Sequence, residues 1–139
     1  MNKEITLFLF FPLIVSCSRI KNDNDLVRLN LKGNVQSYSE ISYRAIERFG
    51  EISRAEKSRA SNYEYDESYY FDKNGHLTEI KLFTSDGILK EKYIYDYDKR
   101  GFNIESHRYD QNGKLNYSWE KRYNDKGKCI ESSNYIGDR

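Results

Sequence analysis

The chain is short of the side chains that usually fill a core. From Cys17 onward, Leu, Ile, Val and Phe supply 23 of 123 residues, about 19%. With a high net charge, so small a share would accompany disorder. Here charge of one sign is also lacking, because 23 Lys and Arg nearly balance 22 Asp and Glu for a formal net charge of +1. That balance removes the electrostatic argument for nucleic acid or an acidic lipid surface as a partner. Long hydrophobic runs are missing as well. The run from Ile5 to Val15 is too short to cross a membrane. Cysteine occurs only at Cys17 and Cys129, and neither His76 nor His107 stands at a ligand spacing from Cys129, so no metal or redox centre is indicated.

What the chain does have is tyrosine. Thirteen Tyr and Trp119 each offer roughly 150–250 Å² of burial, enough to replace the missing aliphatic area. The length suits one domain, and we expect an all-β fold that depends on aromatic side chains.

The apolar run at the start has the length of a signal-peptide core. It ends on Ile14, Val15, Ser16 and Cys17, an aliphatic residue, two smaller ones and a cysteine. This arrangement resembles the bacterial lipobox, in which the cysteine is acylated and becomes the first residue of the mature protein. The resemblance implies a signal peptide over 1–16, a covalent lipid such as palmitate on Cys17, a tether over 17–25 and a β domain over 26–139. It implies location in the bacterial cell envelope, at the outer membrane, with the membrane as partner through the lipid. An acylated Cys17 leaves Cys129 without a disulfide partner and reads it as a small strand residue.

The second half carries a series of glycine turns. Asp72 to Gly75, Thr84 to Gly87, Asp98 to Gly101, Asp110 to Gly113 and Asn124 to Gly127 follow one another, their glycines 12, 14, 12 and 14 residues apart. Glycine accepts the positive φ of a bulged hairpin loop, and a leading Asp or Asn can bind the turn backbone. Two turns make a unit of 26 residues. At that offset Phe71, Tyr97 and Tyr123 coincide, as do Glu79, Glu105 and Glu131, and Phe83, Tyr109 and Tyr135. Leu89 falls on Leu115 and Tyr93 on Trp119. Such recurrence is the mark of a repeat protein, clear from about residue 69.

Strand parity assigns the faces. Tyr63, Tyr65, Tyr69 and Phe71 share one side of a strand; so do Leu89, Tyr93, Tyr95 and Tyr97, and Leu115, Tyr117, Trp119 and Tyr123. Lys90, Lys92, Ser118, Glu120 and Arg122 take the other side. The expected architecture is an antiparallel meander of repeated hairpins, an open, curled single sheet whose aromatic faces pair across neighbouring strands. The first half is less regular. Asn34 to Phe49 reads as one long strand ended by Gly50, Ile52 to Ala60 as a further strand or a charged loop, and Arg54 to Arg59 as a solvated hairpin tip; no helix is expected.

Three segments carry a further likeness: Tyr-x-Phe-Asp-x-x-Gly at 69–75, Tyr-Asp-Tyr-Asp-x-x-Gly at 95–101 and Tyr-Asp-x-x-Gly at 109–113. They resemble the Rhs/YD repeat over roughly 63–137, and the small repeat-bearing lipoproteins of bacteria with outer membranes. The likeness implies a β meander. It does not imply the encapsulating shell of Rhs proteins, because the repeats are too few, no proline follows Pro12 and no toxin domain is appended.

No catalytic constellation is visible. Recurrence of Glu79, Glu105 and Glu131 at the repeat period points to pairing with cross-strand Lys or Arg, since a catalytic pair needs separated pKa values at one site. Asp96, Asp98 and Asp110 read as turn formers, because no turn matches a calcium loop. The reading is therefore of a non-enzymatic, lipid-anchored binding or scaffolding module without a metal or cofactor beyond the lipid. Its alternatives are an immunity protein against a secreted effector and a glycan-binding surface lipoprotein. The candidate binding face is Tyr93, Tyr95, Tyr97, Tyr117 and Trp119, offered to a protein or a glycan, unless the rest of the chain covers that face as a core.

Overall fold

Each of the five glycine turns closes in the same way. The N–H of its first residue donates to the carbonyl four residues on, and the glycine N–H donates back to the first residue's carbonyl, as in Asp98 to Phe102 (2.9 Å) and Gly101 to Asp98 (2.9 Å). The leading side chain adds a second set of bonds. Oδ1 of Asp98 accepts from the amides of Arg100 (2.9 Å) and Phe102 (3.0 Å), and Asp72, Asp110 and Asn124 do the same in their turns. Thr84 is the exception: its hydroxyl accepts from the Ile88 amide at 3.1 Å. The turn glycines lie at φ of 77–84°, where a Cβ would meet the backbone.

These turns join most of the strands found in the computed structural model, which describes residues 24–57 and 65–137. The order along the chain is α1 (Asp25–Arg28), β1 (Ser37–Glu40), β2 (Tyr43–Arg48), β3 (Glu51–Lys57), β4 (Asp66–Phe71), β5 (Leu77–Phe83), β6 (Leu89–Tyr97), β7 (Asn103–Asp110), β8 (Leu115–Tyr123) and β9 (Cys129–Ile136). Seven strands form one antiparallel sheet in the order β1-β4-β5-β6-β7-β8-β9; β2 and β3 form a separate hairpin. The sheet is an open meander with β1 and β9 at its edges, as the alternation of strands and turns leads one to expect. Cys17 and the segment before it, most of the tether, Tyr63 and residues 58–64 lie outside the described residues.

The third residue after every turn glycine is skipped by the pairing. Thr78, Lys90, Ile104, Asn116 and Ile130 are the extra residues of five bulges. Each bulge reverses the parity of the residues before it. Leu89 therefore stands opposite Phe83 and Leu115 opposite Tyr109, on the face away from Tyr93 and Tyr117, where simple alternation had placed them with the tyrosines. Tyr93, Tyr95 and Tyr97 follow their bulge and stay together.

The first half departs further from its reading. Ile41 and Ser42 break the expected strand 34–49 into β1, which joins the edge of the main sheet, and β2, which does not. The hairpin tip is Phe49-Gly50, both at positive φ (55° and 80°), the two-residue loop whose twist matches paired strands. Arg54 to Lys57 belong to β3 rather than to a tip. Asp25, the last residue of the expected tether, opens a short helix where none is expected from the sequence, with the Asn24 side chain accepting from the Val27 amide.

That helix closes one end of a row of packed rings. His76 stacks on Tyr97, and 26 residues later Phe102 stacks on Tyr123, both at 4.8 Å between centroids. Phe102 also lies on Gly127, where a Cβ would stand 2.6 Å from its ring. At Gly75, 52 residues earlier, the side chains of Asn24 and Leu26 take that place, at 2.6 and 3.0 Å from the same virtual atom. Asp25 completes the cap, its Oδ2 accepting from the Leu77 amide (2.8 Å) and the Tyr97 hydroxyl (2.9 Å). Among the described residues the buried hydrophobic side chains are Leu26 and Phe71, and the seven-stranded sheet has no second sheet packed on it.

Candidate binding face

All five candidate residues project from one face. Tyr93, Tyr95 and Tyr97 come from β6 and Tyr117 and Trp119 from β8, with β7 between them. Alternate strands lie about 9.6 Å apart, so the two aromatic groups do not meet directly across a ladder. Direct cross-strand stacking occurs instead at Tyr38 and Tyr69, 4.5 Å apart and nearly parallel at 6°. Tyr117 and Trp119 stack along their own strand at 5.6 Å.

Arg108 fills the gap. Its position in β7 is opposite Tyr93 on one side and Tyr117 on the other. The guanidinium lies 5.9 Å from the Tyr93 centroid and 5.5 Å from that of Tyr117, within the range of cation–π attraction. Glu91 holds it through two hydrogen bonds, Nε to Oε2 at 3.1 Å and Nη2 to Oε1 at 2.5 Å, and accepts the Tyr93 hydroxyl at 3.0 Å. Burial pushes the Glu91 carboxyl upward, but the hydrogen bonds from Arg108 and Tyr93 and the nearby cations outweigh it and hold it below the ordinary range. Burial, then the Glu91 carboxylate, raises the Tyr93 phenol.

Neither Arg108 nor Glu91 was singled out in the sequence. A signal was available in the breaks of the 26-residue pattern. Position 108 corresponds to Leu82 and Asn134, and position 91 to Tyr65 and Tyr117, so the pair occurs in one unit only.

A cleft opens on this face between α1 and the sheet. Its volume is about 470 Å³; Tyr95 and Tyr97 form part of its wall together with Leu29, Leu77 and Ser106, and Arg28 and Lys121 bring cations to it. Burial raises the Tyr95 phenol to about 12 and the Tyr97 phenol further, the latter aided by the Asp25 carboxylate. Both therefore stay neutral hydroxyls. Asp25 Oδ2 is committed to Leu77 and Tyr97, and its Oδ1 pairs with Arg28 Nη1 at 3.4 Å, though the Arg28 side chain remains 73% exposed. Chemically the cleft offers an aromatic wall, the Lys121 cation, and an Arg28 whose charge is shared with the Asp25 carboxylate.

The opposite face is charged, though its pairing differs from the expected cross-strand pattern. Glu131 does pair across strands with Arg122 at 3.0 Å. Glu79 and Glu105 pair instead within their own strands, with Lys81 (3.4 Å) and His107 (3.2 Å). Asp98 and Asp110 are bound by turn amides, but Asp96 is a strand residue of β6 opposite Glu105. The register thereby brings donor atoms of Asp96, Glu105 and His107 within 4.8 Å of one another. Buried Ser118 lies 3.1 Å from His107 Nδ1. Two carboxylates and one imidazole are three donors of a metal set, and no fourth His, Cys, Asp or Glu joins them among the described residues.

Comparison with protein-family models, curated proteins and solved structures finds no match.

Proposed function

We propose that this protein is a lipid-anchored envelope protein built from β repeats, and that its sheet is a non-enzymatic binding module. The observation that supports the module is the cleft under α1, with Tyr95 and Tyr97 at its wall and Arg28 and Lys121 beside them. Such a site suits a ligand with a flat or apolar body and an anionic group, as in an acidic peptide segment or an acidic glycan. Aromatic rings supply contact area at little entropic cost, and a charged group at the rim sets orientation. The alternative of a sugar stacked on Tyr117 fits less well, because that ring already lies beside both Arg108 and Trp119.

The anchor rests on the lipobox resemblance at Cys17. Cys17→Ala should release the chain from the membrane fraction, and continued anchoring would refute the lipid. The module is tested by photo-crosslinking from position 121 in the full chain, compared with the same probe at exposed Lys99 on a turn. Specific adducts at 121, lost in Tyr95→Ala with Arg28→Glu, are expected. Equal labelling at both positions would refute the cleft as the binding site.

A further inference from the structure

The two edges of the sheet are finished differently. At one edge β1 is only four residues long, and α1 caps the row of rings at that end. At the other, β9 runs for eight residues and nothing pairs with its outer side among the described residues. Natural sheets usually protect such an edge with Lys, Pro or an inward charge. Cys129–Ile136 has no Lys, Arg or Pro. Its single charge, Glu131, is already paired with Arg122 inside the same sheet. Ile130 and Ile136, near its two ends, are 57% and 77% exposed.

The backbone states which groups are on offer. Gly137 N–H donates to the Asn116 carbonyl, and Ile136 stands opposite Tyr117. Odd-numbered residues of β9 therefore bond to β8, while the amides and carbonyls of Ser132, Asn134 and Ile136 point outward.

We propose that β9 pairs antiparallel with β9 of a second copy, about a two-fold axis between the two Ser133 residues. A two-fold antiparallel pair can join outward-facing residues only with one another, so registers step by two residues. Centred on Ser133, Ser132 of each copy exchanges backbone hydrogen bonds with Asn134 of the other, and Ile130 lies beside Ile136 at both ends. Glu131 stands opposite Tyr135, so no like charges face each other. Centred on Ser132 instead, Ile130 would meet Asn134, and Ile136 would lose its apolar partner. The chemistry of the strand is self-complementary in the first register only. The result is one continuous sheet of two copies with both aromatic faces on the same side, since an axis perpendicular to the sheet preserves its faces.

The test uses the full chain in mild detergent with Cys129→Ser, the same chain without an added cysteine serving as blank. Ser133→Cys places two sulfurs at a non-hydrogen-bonded pair, where Cα atoms are about 4.5 Å apart, a separation that a disulfide spans. Mild oxidation should yield a dimer band, lost on reduction, well above the blank and above Ser132→Cys. Light scattering of the unmodified chain should give twice the chain mass at high concentration. Asn134→Pro removes an outward amide without touching the β8 pairing, and should return the monomer mass with an unchanged β-sheet circular dichroism spectrum. Monomer mass at every concentration, no band above the blank, stronger crosslinking at 132 than at 133, or a dimer indifferent to Asn134→Pro would each overturn the proposal.

Discussion

Two kinds of hairpin occur in this molecule, and they are stabilised by different means. The hairpins from β4 to β9 turn through loops of four or five residues whose leading side chain and glycine satisfy the turn backbone, and each is flanked by another strand. The β2–β3 hairpin turns through Phe49-Gly50 alone. Phe49 is wholly exposed, and among the described residues the hairpin is tied to the main sheet through Lys57, which pairs with Asp66 and reaches the Ser85 carbonyl at 3.3 Å, and through the Ser42 amide, which reaches Asp66 at 3.4 Å. An isolated two-stranded ribbon is marginal in water. The difference teaches that a turn alone does not make a hairpin stable; the larger share comes from neighbouring strands and from rings laid across the turns.

The widest expected gap between the two regions lies at their turn glycines. Both Gly127 and Gly50 have positive φ, but only Gly127 lies under a ring. Gly127→Ala should cost about 2–4 kcal/mol, combining left-handed strain of about 1–2 kcal/mol with displacement of Phe102. Gly50→Ala meets open space and should cost only the left-handed strain of about 1–2 kcal/mol, felt as local order in the β2–β3 ribbon with little change in the main unfolding transition. Equal losses in urea melts would erase the distinction. Hydrogen exchange gives an independent measure: amides of β2 and β3 should exchange far faster than those of β6 to β8, whose opening should approach the global unfolding free energy.

Next in size is the Arg108–Glu91 pair at the centre of the main sheet. Removing Arg108 leaves a partly buried carboxylate unpaired, so Arg108→Met should cost about 1–3 kcal/mol at neutral pH. Because the folded Glu91 value is depressed, its contribution is complete above the unfolded glutamate value of about 4.3. It is lost as pH falls through the still lower folded value. Arg108→Met should therefore flatten the acid limb of the stability profile below about pH 4.3. An unchanged acid limb would deny the pair that role.

Smaller effects sharpen the account of the turns. Asp98→Ala removes the acceptor of two turn amides and should cost about 1–2 kcal/mol. Asp98→Asn, matching Asn124 in the last turn, should restore most of it. Thr84→Asp should add about 0.5 kcal/mol by giving that turn the second acceptor bond the others have. A thermal shift of the wrong sign would show that Thr84 has a task beyond its loop.

Most of the main sheet was legible in the residues, because its signals are local. A leading Asp or Asn, a glycine at the fourth place and alternating tyrosines each act within a few residues of chain. For that reason Tyr93, Tyr95, Tyr97, Tyr117 and Trp119 were assigned together to one face. The faces of Leu89 and Leu115 do not follow from alternation, because a bulge is a property of two strands in register. The break at Ile41-Ser42 was hidden for a similar reason: nothing within 34–49 states that its two parts have different partners.

What the sequence by itself determined, then, is the class of fold, the places of the turns and the outward signature of a chain with few aliphatic residues and many rings. Backbone preference and period-two alternation are enough for that. Only the tertiary structure decided that Arg108 separates the two aromatic groups, that Asp96, Glu105 and His107 gather on the other face, and that α1 caps the rings beside a cleft. Each of these joins residues on different strands or elements, and its free energy exists only once register and bulges have been set by the whole sheet.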